Sequence, residues 1–214
     1  MPDDEVETDS RAAERLTFFS DAVVAIAITL LAIDLPVPTG DTVSEFWSSV
    51  QNNAGHYAAF LISFLAISAA WSHHHDIFRY AMRMDARLRT LNTAWLFIII
   101  LIPFATKLLT SQGNKNLYVH ALRFGFYSLL QALISAVLLV MLRHMTSHDQ
   151  APGIPEPVVI DNTGQTYGLL VGFGVSIPVF FVTPYGWAVW FVGPLLVHRL
   201  YRFRHDKQRH PGVT

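Results

Sequence analysis

Side chains that can form hydrogen bonds or carry charge stand at the ends of long apolar stretches in this sequence. One group precedes the first stretch, a second closes the next stretch, and an amide opens the third; the residues are Ser20, Asp21, Trp71, His74, His75 and Asn92. An alcohol, a carboxylate, an indole, imidazoles and an amide can satisfy one another's donors and acceptors, and a satisfied cluster rigidifies an apolar bundle. These residue types therefore favour mutual hydrogen bonding.

The three consecutive histidines at 73–75 also suggest a metal site, but their spacing argues against one. Neighbouring residues in a helix point about 100° apart, so at most two of the three could bind one ion. The run contains neither HxxxH nor HExxH. An intramembrane enzyme would need a nucleophile or a metal with a base in reach, and only the region of His74 and His75 is a candidate. The sequence therefore predicts no enzyme activity, no metal site and no cofactor.

The elements that must position these side chains are transmembrane helices. The chain has 214 residues, of which 52% are apolar and 14% are charged, against roughly 25% charged in ordinary soluble domains. Stretches of about 20 mostly apolar residues can cross a bilayer, and six are predicted: 16–35, 54–75, 90–109, 117–142, 165–183 and 186–203. The ten-residue alternation of barrel strands is absent from the sequence. The predicted fold is an all-α, polytopic membrane protein with six transmembrane helices per chain.

The basic residues predict the orientation of these helices, since they concentrate in cytoplasmic segments. The connections on the opposite side offer only Lys107 and Lys115. Both termini are therefore expected in the cytoplasm, with an acidic segment at 1–14, the helical domain at 15–204 and a tail at 205–214. A net charge of −1 argues against a nucleic-acid partner. The basic residues on the predicted cytoplasmic side are Arg11, Arg15, Arg79, Arg83, Arg87, Arg89, Arg143, Arg199, Arg202, Arg204, Lys207 and Arg209.

The first span has two differently composed sides. On a helical wheel centred on Ile26, an apolar stripe lies within about 60° of that residue. Ser20 and Asp21 lie about 120° and 140° away on either side, so they point largely away from it. The members of the stripe are Ala22, Ile26, Thr29, Leu30 and Ile33. Packing between helices would also explain such a stripe.

The fifth span carries two glycines that favour close helix packing. Gly168 and Gly172 lie four residues apart in "GLLVGFG". Small residues at this spacing let helix backbones approach each other. We expect packing, rather than a binding site, at this face.

Three ordered motifs resemble a known family. "RLTFFSD" fits R-x-x-x-F-S-D with Arg15, Phe19, Ser20 and Asp21, and "WSHHHDIF" resembles W-x-x-H-H-x-x-F with Trp71, His74, His75 and Phe78. "LNTAWLFIIILIPFATKLL" resembles the third-helix pattern with Asn92, Pro103, Phe104 and Thr106. Together they resemble a bacterial member of the potassium-channel family whose animal representative is the endolysosomal transmembrane protein 175. One departure is Ala22, where many relatives have glycine.

The resemblance implies an architecture and a role for the motifs. Bacterial members assemble as homotetramers without the carbonyl filter loop of ordinary potassium channels, and "TVGYG" is absent from this sequence. The first helix lines the pore, which places the constriction on Ile26, Leu30 and Ile33, with Thr29 as a possible selectivity layer. The signature residues would hold the cytoplasmic half of the bundle outside the ion path: Arg15, Phe19, Ser20, Asp21, Trp71, His74, His75 and Asn92.

The function implied is a potassium-permeable, weakly selective cation leak channel in the bacterial inner membrane. Its partners would be other copies of the chain, the lipid bilayer and monovalent cations, with K⁺ as the permeant ion. Asp34 would contribute to a ring of carboxylates that concentrates cations at the outer mouth. A secondary transporter, or a proton or cation pathway of unknown substrate, stays open as the alternative; it would normally show repeats, broken helices and a polar midplane site.

Overall fold

The computed structural model describes residues 2–111, 116–148 and 150–209, and all regular secondary structure in these ranges is helical. A 3-10 helix, Pro184–Ala188, precedes the last α-helix. Lys115 and residues 210–214 of the predicted tail lie outside the described residues. The α-helices are α1 (Pro2–Ile33), α2 (Val43–Asn52), α3 (Ala54–Phe78), α4 (Ala86–Thr110), α5 (Leu117–Ser147), α6 (Glu156–Phe180) and α7 (Val189–Arg209).

The prediction of six transmembrane helices is wrong. Within the described ranges, four helical segments are long and apolar enough to cross a membrane: Arg11–Ile33, Ala54–Phe78, Ala86–Thr110 and Leu117–Ser147. The stretch predicted at 165–183 falls on α6, whose first half carries Asn162, Gln165 and Thr166. The stretch predicted at 186–203 is divided between the 3-10 helix and α7, and its apolar part ends at His198. Neither therefore sustains the roughly 20 apolar residues that a span requires.

Helix α2 was not predicted, although the sequence contains its start signal. Thr42 is the N-cap and Glu45 is the third helical residue, and each side chain hydrogen-bonds the backbone N–H of the other. This is a capping box, which marks a helix N-terminus. The helix buries none of its side chains, and Phe46 and Trp47 are exposed.

Helix α4 lies between the helices α1 and α3 and the helix α5. It contacts α1 and α3 on one side and α5 on another. Leu88, Trp95, Ile99 and Ile102 recur three to seven residues apart along α4 and are fully buried, as expected of a helix whose apolar side faces a core. Its N-cap is Asp85, whose carboxylate accepts from the Leu88 amide at 2.7 Å. The position of α4 thus determines where the side chains of α1 and α3 meet.

Asp85 also ties the start of α4 to the end of α5. Its Oδ2 lies 2.7 Å from Nε2 of the buried His144. Partial desolvation would raise the pKa of Asp85, but hydrogen bonds from the Leu88 amide, His144 and Gln150 outweigh it and hold that pKa below its ordinary value. The carboxylate therefore remains charged and fixes the connection between α3 and α4.

The two glycines of α6 lie against Pro194 of α7. A Cβ atom on Gly168 would meet the Pro194 carbonyl oxygen at 2.8 Å, and one on Gly172 would meet the proline ring at the same distance. Gly193 in turn lies so close that its Cβ would be 2.8 Å from Cα of Gly172. The small-residue face is therefore a contact between α6 and α7, as expected from the spacing.

Gly168→Ala is expected to destabilise the protein by about 1–3 kcal/mol, because the added methyl group overlaps backbone that cannot move aside. Gly174→Ala on the same helix is the matched control, since a Cβ there meets nothing within 4 Å. Alanine favours a helix by about 1 kcal/mol over glycine, so the control should be neutral or stabilising. Thermal unfolding in detergent measures both; equal midpoints would contradict the overlap.

Candidate pore-lining face

The exposed side of α1 carries the residues predicted to form the constriction. Ile26, Leu30 and Ile33 are 59%, 41% and 77% exposed. Their spacing of four and three residues places them on one side of the helix. Thr29 lies on the same side, and its hydroxyl donates to the Ile26 carbonyl at 2.8 Å. The hydroxyl proton is thereby used within the helix, on a residue that is exposed.

The opposite side of α1 is buried against α3 and α4. Ser20, Val24, Ala27 and Leu31 are at most 5% exposed. The small side chains of Ser20 and Ala27 permit a close approach of neighbouring helices. One side of α1 thus packs in the subunit core, while Ile26, Leu30 and Ile33 on the apolar side stay exposed in the part of the chain that the structure describes. A contiguous exposed apolar surface indicates a contact with lipid or another molecule.

Behind this surface, three fully buried polar side chains join α1, α3 and α4. The Asn92 amide donates to Ser20 Oγ at 2.9 Å, and its oxygen lies 2.7 Å from His74 Nε2. Ser20 donates in turn to the Leu16 carbonyl at 2.8 Å. The His74 ring is stacked between Phe78 and Trp95, with centroids at 4.0 and 4.4 Å. Asn92 is therefore the central member, since it satisfies one group on each neighbouring helix.

Asp21 belongs to a second, less buried set. Its carboxylate accepts from the Trp71 indole at 2.8 Å, and Trp71 lies against His75 with centroids 5.5 Å apart. The single cluster expected from the sequence is therefore two adjacent groups. Arg15 and Phe19 are exposed on α1 and, within the described residues, join neither group.

The three consecutive histidines diverge, as their spacing predicts. His73 Nδ1 lies 2.9 Å from the Asn162 oxygen on α6, His74 meets Asn92, and His75 lies beside Trp71. Each ring thus has a different neighbour. Across the described parts of the chain, no group of three histidine, aspartate or glutamate side chains is arranged to hold a metal ion.

Asp34 directly follows the C-terminal end of α1, and Lys107 lies beside it. The Lys107 Nζ is 2.7 Å from Asp34 Oδ1, and the two side chains are 64% and 45% exposed. From the sequence, Lys107 indicates only the orientation of the helices. The ion pair could have been predicted from the sequence, because Asp34 and Lys107 have opposite charges and lie at corresponding ends of two helices that run in the same direction.

A further set of buried polar side chains makes mutual contacts that the sequence did not predict. Its hydroxyl residues stand in the sequence as isolated positions within spans. Thr106 Oγ1 lies 2.7 Å from Ser63 Oγ, and the Tyr127 hydroxyl accepts from Ser63 at 3.2 Å and from Gln131 at 3.0 Å. These contacts link α3, α4 and α5. The polar atoms are satisfied by one another, as buried groups require.

Comparison with known proteins identifies proteins that are similar in sequence to this chain. Residues 15–103 match the family model described as endosomal/lysosomal potassium channel TMEM175. A potassium channel of Streptomyces collinus is 33% identical over 132 residues, which are 62% of this chain and 64% of that protein. The endosomal/lysosomal proton channel TMEM175 of Rattus norvegicus is 27% identical over 106 residues, or 49% of this chain and 21% of that one. The matches thus span less than two thirds of these relatives' lengths.

The fold is also that of a solved relative. The crystal structure of a lysosomal potassium-selective channel TMEM175 homolog from Chamaesiphon minutus superimposes with a TM-score of 0.71 and 26% identity. That match covers 89% of this chain and 98% of the other, so it includes the helices beyond residue 103. The all-helical fold is thus that of a membrane channel, and the chain is a multi-pass membrane protein. In its sequence motifs, in the family match over residues 15–103 and in its fold, the chain is similar to members of the TMEM175 family.

Proposed function

We propose that this chain is the subunit of a potassium-permeable, weakly selective cation leak channel whose pore is lined by α1. The observation that carries the proposal is the exposed apolar face of α1, backed by a buried polar group that fixes the helix. Relatives in Streptomyces collinus and Chamaesiphon minutus are named as potassium channels, which supports potassium as the permeant ion.

A pore lined by α1 requires several copies of the chain, because one helix cannot enclose a pathway. Closed rotational symmetry brings the same face of each subunit to a common axis, and we propose four copies. The distribution of basic residues supports an orientation with both termini in the cytoplasm of a bacterium and the C-terminal end of α1 at the outer side.

The proposed constriction blocks ions by excluding water. Four copies of Ile26, with Leu30 and Ile33 beyond them, form apolar layers that dewet when narrow and pass hydrated cations when wider. Such layers discriminate weakly between cations of equal charge. The buried Ser20, His74 and Asn92 lie on the other side of α1 and act in assembly, outside the ion path.

Reconstitution into liposomes tests the proposal. The purified protein should have the mass of a tetramer in mild detergent and should pass K⁺ down its gradient, with smaller fluxes of Na⁺ and Cs⁺. Flux from a monomer or dimer would contradict the assembly. Transport that saturates and stops when a counter-ion is withdrawn would instead indicate a secondary transporter.

Thr29→Val tests the selectivity layer. Thr29 is exposed and its hydroxyl proton is bonded to the Ile26 carbonyl, so we expect a ring of these oxygens to replace part of a cation's water. Valine has the same shape without the oxygen, and we expect the ratio of K⁺ to Na⁺ permeability to fall by roughly two- to fivefold. Thr17→Val on the buried side of α1, where the hydroxyl bonds Ala13, should leave the ratio unchanged. An unaltered ratio in Thr29→Val would remove Thr29 from the selectivity layer.

A further inference from the structure

We propose that Lys107 sets the cation conductance of this channel by neutralising Asp34 at the outer mouth of the pore. The sequence alone suggested a ring of free carboxylates at this position. In the structure the Asp34 carboxylate is paired at 2.7 Å with the Lys107 ammonium group. The inference rests on the proposed channel function and deepens it, because it assigns a determinant of ion throughput to α4.

The local electrostatics explain why a lysine is needed there. Asp34 follows Ile33, the last residue of α1, so its carboxylate adds to the partial negative charge of a helix C-terminus. Lys107 lies in the last turn of α4, whose C-terminus is also partly negative. One ammonium group thus offsets two helix ends and one carboxylate.

The exposure of the pair gives this offset a consequence for ions. Both side chains are about half exposed, so their net charge is felt in the surrounding water. A paired Asp34 and Lys107 present a dipole, whereas an unpaired Asp34 presents a full negative charge. With four subunits, removal of the lysine charge changes the charge of the mouth by four units. Charge at a channel mouth alters the local concentration of permeant ions.

Lys107→Met separates this effect from packing, because methionine keeps most of the aliphatic chain and removes the charge. Single-channel K⁺ conductance in about 0.1 M salt is expected to rise by roughly two- to fivefold, and the rise should disappear near 1 M salt, where the Debye length falls from about 10 Å to about 3 Å. Asp34→Asn should do the opposite, because it leaves an unpaired lysine at the mouth. The double variant Asp34→Asn with Lys107→Met should return to the wild-type conductance.

Asp41→Asn is the matched control. It removes one negative charge from the exposed connection between α1 and α2, seven residues along the chain from Asp34, and should leave the conductance unchanged at both salt concentrations. Equal conductance of Lys107→Met and wild type at low salt would overturn the inference. So would a change that persists at high salt, since that would indicate a structural role for the pair. Absence of any flux in the wild type would instead refute the channel proposal itself.

Discussion

Ile26→Asn is expected to raise the resting K⁺ flux of the reconstituted protein by roughly tenfold or more, as each 1.4 kcal/mol removed from a barrier gives a factor of ten. Water is unstable between closely spaced apolar walls, and a ring of amides would hold it. Ile26 lies on the exposed face of α1, 59% accessible in the single chain. The substitution therefore removes little packing within the subunit, and the protein should assemble normally.

Leu61→Asn is the control for this experiment. Leu61 is 55% exposed on α3, so the variant makes a closely similar change in polarity on a different helix. Its flux should match that of the wild type. Leu30→Asn should raise flux less than Ile26→Asn if Ile26 is the tightest layer. A normally assembled Ile26→Asn protein with unchanged flux would place the constriction elsewhere and leave the exposed stripe of α1 as a packing surface.

The second large effect is expected from Asn92→Ala, which should lower the free energy of unfolding by roughly 2–6 kcal/mol. Asn92 is fully buried and bonds both Ser20 and His74, and each buried polar group left unpaired costs about 1–3 kcal/mol. Because the affected groups lie on α1 and α3, the variant should reduce the yield of assembled protein before it alters ion preference.

Thr93→Ala provides the comparison one residue along the same helix. Thr93 is exposed, and its hydroxyl bonds the Arg89 carbonyl in the preceding turn, so the substitution should change stability by less than about 0.5 kcal/mol. Both variants can be compared by thermal unfolding and by the fraction that elutes as oligomer from a sizing column. Similar losses in the two would refute the central role of Asn92. Normal assembly of Asn92→Ala with altered selectivity would place Asn92 near the ion path.

Helical periodicity predicted the two-sided character of α1, because residue type and angular position agree there. Ser20 is small, polar and fully buried, whereas Ile26 is apolar and exposed. A helical wheel separates the two faces, but hydrophobicity alone would have predicted that the face with Ile26 is buried and that the face with Ser20 is exposed. The roles assigned to these residues through the family resemblance stay predictions until flux and assembly are measured.

Two predictions differed from the structure, namely the number of membrane spans and the single cluster of polar residues, because both depend on tertiary contacts as well as on composition. A count of apolar residues gave six spans, but the polar residues of α6 around Asn162 bond within the protein, as Asn162 does with His73. The division of the polar residues into a Ser20 set and an Asp21 set depends on about 100° of helix rotation between neighbours and on which helix lies opposite each. Sequence spacing gives the first quantity and not the second.

The ties at Ser20 and Asp34 have a joint mechanical consequence, since both connect α1 to the same neighbour. Ser20 and Asp34 are 14 residues apart and bond Asn92 and Lys107, which are 15 apart on α4. At 1.5 Å per residue these intervals are about 21 and 22 Å, so the two helices run side by side over this length and are connected by a polar contact near each end. Rotation of α1 about its own axis would break both contacts at once. Any rotation of the apolar face therefore moves α1 and α4 together, along with α3, which His74 and Trp71 connect to Asn92 and Asp21.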